Sequence, residues 1–109
     1  MTERQLLPLL AADAGCTLPT GELGVRLGEW RAALAGNTGV SRVRADRLVV
    51  ELGPVTDLPS LARLCELEVG CCSFFMFSLE VSAGVRRLVV TTPVDRANVL
   101  DEFGSLLAG

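Results

Sequence analysis

The chain has 109 residues, half of them apolar, with ten basic and thirteen acidic side chains and a net charge of −3. One domain with a single core fits that length, and the acidic balance argues against nucleic acid, whose recognition leans on clustered positive charge. Histidine, lysine and tyrosine are absent, which excludes histidine-based triads, lysine Schiff bases and mixed histidine–cysteine zinc sites within one chain.

Residues 1–20 read as an irregular N-terminal segment of a single domain spanning 1–109, with Pro8 and Pro19 breaking any long helix. From Glu22 to Ala35, Leu23, Leu27, Trp30 and Leu34 recur at helical spacing. "GNTG" at 36–39 ends that helix and opens a turn. "VSRVRA" and "RLVVEL" then read as two strands around Ala45-Asp46, with Leu48, Val50 and Leu52 on one face. "GPVTDLPS" supplies a loop and an N-cap at Thr56 or Asp57 for a helix from Leu58 to Cys71.

"FFMFSLEVS" places Phe75, Phe77, Leu79 and Val81 on one face, "AG" at 83–84 turns, and "VRRLVVTT" returns. "PVD" caps a last helix from Arg96 to Ala108, with Leu100, Phe103 and Leu107 inward. The order α-β-β-α-β-β-α predicts an α+β domain, an antiparallel sheet of about four strands with helices packed on one face. Trp30 is expected in the core, and Arg26, Arg31 and the other arginines on solvated faces.

Three of the four cysteines fall in "CELEVGCCSFF", residues 65–75, and two of these are adjacent. A helix advances about 100° per residue, so Leu64, Cys65, Glu68 and Cys72 lie within roughly 60° of Leu61, on the face that meets the sheet. Cys71 points about 80° to the other side. Glu68 sits one turn from Cys65 and from Cys72 on an otherwise apolar face, where a carboxylate is costly unless paired, liganded or protonated.

Adjacent cysteines on a regular helix diverge, so they can share an ion only if the helix ends between or just after them. Gly70 and the aromatic strand favour such an end. At a helix C-terminus the pair is poorly placed as a free nucleophile and better placed as a metal ligand. The plainer reading is that buried cysteines fill the core as small hydrophobes, and it applies most readily to Cys65.

"CTLPTGELGVRLGEW" followed by "ELEVGCCSFFMFSLEV" resembles a small actinobacterial family met near heavy-metal resistance genes. It is also similar to the E-x-x-C-C-x-F-x-F stretches in the metal-sensing tails of MerR-like regulators. The resemblance spans roughly residues 16–108 and implies that Cys16, Cys71 and Cys72 bind a soft thiophilic ion with Glu68 beside them. Cys65 falls outside the motif. Nothing ahead of Cys16 is long enough for the regulators' DNA-binding helices, so a transcriptional role is not expected.

Three thiolates without histidine suit Hg(II), As(III), Cu(I) or Cd(II) better than calcium or magnesium. Zinc would want a fourth ligand from Cys65 or Glu68. The leading expectation is a soft-metal or metalloid binding protein. A second is an organomercurial-cleaving enzyme, with two thiolates holding mercury and a protonated Glu68 as the acid. A third is thiol redox, with Cys71-Cys72 or Cys16-Cys72 cycling to a disulfide, and a fourth is an inert structural or interaction domain. The mean hydropathy of +0.44 raises the expectation of a homodimer. "AGC" at 14–16 faintly resembles an exported lipoprotein signal, but Pro8 and Asp13 spoil it. No apolar run approaches the ~18 residues of a membrane helix. A cytoplasmic address is therefore expected, and thiols there are kept reduced.

Overall fold

A computed structural model describes residues 20–108. Within them the predicted α+β order holds. Helix α1 (Thr20–Ala33) leads to strands β1 (Gly39–Arg44) and β2 (Arg47–Glu51). Helix α2 (Leu58–Cys71) follows, then β3 (Met76–Ser82), β4 (Val85–Thr91), a 3₁₀ turn at Val94–Arg96, and α3 (Asn98–Ala108). The last helix starts later than the expected Arg96 because Val94–Arg96 winds as a tight 3₁₀ turn, with Arg96 N–H donating to the Pro93 carbonyl.

The four strands form one antiparallel sheet in the order β1-β2-β4-β3. Both hairpins are local, and the α2 connection carries the chain from β2 to the far edge. Period-two alternation fixes which face is buried. Val40, Val50, Leu88 and Leu79 align across the strands, as do Arg42, Leu48, Val90 and Phe77. These rows meet the helices, and Leu48, Val50, Leu88 and Val90 pack there with Trp30, Leu34, Leu61, Leu100 and Phe103. The opposite face carries a row of charges in which Arg87 bridges Glu51 at 3.4 Å and Glu80 at 3.6 Å.

Two arginines tie the sheet to its surroundings. Arg42, on the helix side of β1, donates to the Ala45 and Ala97 carbonyls and to Asp101 of α3. Arg86 donates to the Gly53 and Thr56 carbonyls in the loop before α2. Gly53 itself is required by crowding, since a Cβ there would lie 2.2 Å from the Gly36 carbonyl oxygen. Gly84 takes a φ of +74° in the β3–β4 turn, a conformation that favours glycine.

Candidate functional site

The α2 sequence, LPSLARLCELEVGC, starts at an extended Asp57 N-cap with a proline in its first turn. Asp57 makes no side-chain cap to the backbone and instead accepts from Ser60 Oγ at 2.7 Å. The apolar stripe falls as the 100° advance requires: Leu61, Leu64, Cys65 and Glu68 are buried on α2, and Cys72 beyond it is 1% exposed. Cys71 is half-buried.

The helix ends between the two adjacent cysteines. Cys71 is its last residue, and Cys72 leaves the helical conformation at φ −128° and ψ 87°. Its amide still donates to the Glu68 carbonyl at 2.7 Å, closing the last turn. The Phe75 amide then bonds back to the Cys72 carbonyl, feeding the chain into β3.

Glu68, 6% exposed, has found partners. The Trp30 indole Nε1–H donates to Glu68 Oε1 at 2.8 Å, and Arg26 Nη1 lies 3.4 Å from the same oxygen. Of the three ways to keep a carboxylate on an apolar face, the structure uses a partner. The same Arg26 Nη1 stands 3.9 Å from Cys71 Sγ, and its Nε contacts Glu29 at 3.5 Å. Arg26, expected on a solvated face, has a side chain only 11% exposed and links α1 to the cysteine end of α2. Its positive charge opposes the partial negative charge of the helix C-terminus beside Cys71.

Trp30 is core, as expected, stacked on Phe77 at 5.3 Å and edge-on to Phe103 at 5.2 Å. Its second role, as the donor to Glu68, depends on a partner 38 residues away. The available signal was spacing, since Arg26 precedes Trp30 by one helical turn and so shares its face.

The cysteines divide by environment. Cys65 is a buried free thiol, pushed up to about 12 by burial first and by the neighbouring Glu68 and Glu66 charges next. It behaves as core, in a position that opposes thiolate formation. Cys71 is a free thiol beside Arg26. Cys72 is disulfide-bonded, and not to its neighbour, because Cys71 is free. Cys16 lies outside the described residues. Among the described residues, no three of histidine, cysteine, aspartate and glutamate are arranged to hold a metal ion.

Two open grooves flank α2. One, of about 440 Å³, runs between α1 and α2 and is lined by Glu29, Ala33, Ser60, Arg63, Leu64 and Leu67. The other, of about 330 Å³, is lined by Cys65, Glu66 and Val69 of α2 and by Phe77 of β3. Neither is lined by Cys71, Cys72 or Glu68. Among the described residues, no helix is long and apolar enough to cross a membrane.

No family model, curated protein or solved structure matches the chain.

Proposed function

We propose that the reduced protein binds a soft thiophilic metal or metalloid ion through Cys71 and Cys72, with Cys16 as the third sulfur. The observation that carries this reading is the helix end between the adjacent cysteines. On a continuing helix their side chains would diverge by about 100°. The break at Cys72 removes that constraint while leaving both residues anchored to one rigid turn. Glu68 is already satisfied by Trp30 and Arg26, so it flanks the sulfurs as a charge-balanced neighbour and does not itself need the ion. The resemblance of the two cysteine motifs to heavy-metal proteins points the same way.

Ligation requires free thiolates, so the disulfide at Cys72 is the oxidised, non-binding form. A reducing compartment such as the cytoplasm would keep the binding form populated. Affinity should fall with pH as ligand thiols take up protons. The test is titration of the reduced chain with Hg(II), As(III), Cu(I) and Cd(II), following stoichiometry and affinity in wild type, Cys71→Ser, Cys72→Ser and Cys16→Ser. Each substitution should weaken binding, and unaltered stoichiometry and affinity in the Cys71 and Cys72 variants would reject the reading.

The disulfide at Cys72 favours a second reading, a thiol switch in which Cys72 and Cys16 cycle between dithiol and disulfide. Peroxide would then consume two thiols per chain without any ion present, and thiol reductant would restore them. The organomercurial-cleaving alternative needs Glu68 as a protonated acid in apolar surroundings. Two donors aimed at Oε1 make that pocket polar.

A further inference from the structure

The two edges of the sheet differ in a way that bears on partners. The β1 edge is guarded: its register slips between Arg42 and Arg44, and it carries both those arginines. Bulges and charges of this kind blunt a strand edge against pairing. The β3 edge has no such slip and carries a single charged side chain. All seven of its residues, Met76–Ser82, pair continuously with β4, and its one charged side chain, Glu80, is held by Arg87 on the strand next to it. Met76 and Val81 are 65% and 63% exposed. Among the described residues no strand pairs with the outer edge of β3.

We infer that β3 is a dimerisation edge, pairing antiparallel with β3 of a second copy of this chain about a two-fold axis at Leu79. This register uses all seven residues and is self-complementary, as a two-fold interface must be. Leu79 faces its own copy, Val81 faces Phe77, Met76 faces Ser82, and Glu80 faces Ser78. Centring the pair on Glu80 would set carboxylate against carboxylate, and like charges directly opposite destabilise a sheet. Centring it on Ser78 would leave Val81 and Ser82 without strand partners.

The groove lined by Cys65, Glu66, Val69 and Phe77 gives the register a second support. Phe77 and Leu79 lie on the helix face of β3. A two-fold perpendicular to the sheet keeps that face on the same side in both copies. Val81 of the second copy, opposite Phe77, therefore comes against the open groove between β3 and α2. Its exposed side chain gains cover there, and the mean hydropathy of +0.44 fits a chain that buries surface against itself. The proposal does not depend on what the cysteines bind.

Sedimentation equilibrium in reductant tests it with wild type, Ser78→Glu, Ser78→Arg and Val81→Arg. Residues 78 and 81 are exposed, and far-UV circular dichroism checks that each variant folds. Wild type should sediment at twice the 11.6 kDa chain mass. Ser78→Glu places two carboxylates opposite Glu80 in each dimer and should weaken association by about tenfold. Ser78→Arg places the opposite charge there and should not weaken it, while Val81→Arg should dissociate the dimer. A wild type that stays monomeric up to millimolar concentration overturns the proposal. So does a dimer indifferent to both Ser78→Glu and Val81→Arg.

Discussion

The indole of Trp30 donates to Glu68 Oε1 at 2.8 Å across the α1–α2 contact, joining the core's largest side chain to the buried carboxylate of α2. Trp30→Phe removes this donor together with one ring of the buried indole. Hydrogen bonds to charged groups contribute about 1.5–3 kcal/mol, and the lost ring volume adds to this, so Trp30→Phe should lower unfolding free energy by at least about 2 kcal/mol. Urea denaturation followed by circular dichroism measures it, since the chain's sole tryptophan is removed.

Arg26 and Glu68 should show the asymmetry of a buried pair. Removing one partner leaves the other charge uncompensated, which costs 3–5 kcal/mol in fully buried cases, whereas replacing both with apolar groups can be nearly neutral. Arg26→Met leaves Glu68 its Trp30 donor and should cost about 2–3 kcal/mol, below that range. Glu68→Met should cost at least as much, and the double variant less than the sum of the two. Additive losses in a double-mutant cycle would mean that the 3.4 Å contact carries no coupling.

Cys65 sets a limit on alkaline stability. Its thiol ionises near its ordinary value of 9.0 in the unfolded chain but only near 12 in the fold. Between those values the unfolded state sheds the proton first, so rising pH favours unfolding. The contribution is fully present below pH 9 and is lost as pH rises toward 12. The chain has no lysine or tyrosine to obscure this window. Urea midpoints of wild type should fall more steeply above pH 9 than those of Cys65→Ala. Parallel slopes would contradict the burial of this thiol. In the folded protein at pH 8, Cys65 should also resist alkylation until urea is added.

The Gly36–Gly53 approach makes a sharp contrast between glycines. Gly53→Ala forces a Cβ against a backbone oxygen and should cost about 2–3 kcal/mol. At Gly39, in β1, an added Cβ meets nothing within 4 Å, so Gly39→Ala should be neutral or slightly stabilising. Thermal melts of the two variants compare them directly.

The strand pattern and the buried face of α2 were legible because both depend on local periodicity. The 100° advance placed Leu61, Leu64, Cys65, Glu68 and Cys72 inward, and all five are buried. The helix end after Cys71 was legible from Gly70 and the aromatic strand. Glu68's partners were not. Arg26 and Trp30 lie 42 and 38 residues away, and periodicity says nothing about which element packs on which. An arginine on a helix is usually solvated, which is why local pattern alone puts Arg26 in solvent. Here the buried acid on the neighbouring helix draws it in. The first helix runs Thr20–Ala33 rather than Glu22–Ala35, because helix ends depend on capping that the leucine spacing does not encode.

Native mass spectrometry of the reduced chain tests most directly whether the sulfurs at the end of α2 hold a soft ion. Wild type and the Cys71→Ser/Cys72→Ser double variant would be titrated with Hg(II), As(III), Cu(I) and Zn(II), after confirming four free thiols in the wild type. One soft ion retained per wild-type chain, little zinc, and no retention by the folded double variant is the expected result. A fully reduced wild type that takes up no soft ion, or a double variant that binds as well, would contradict it.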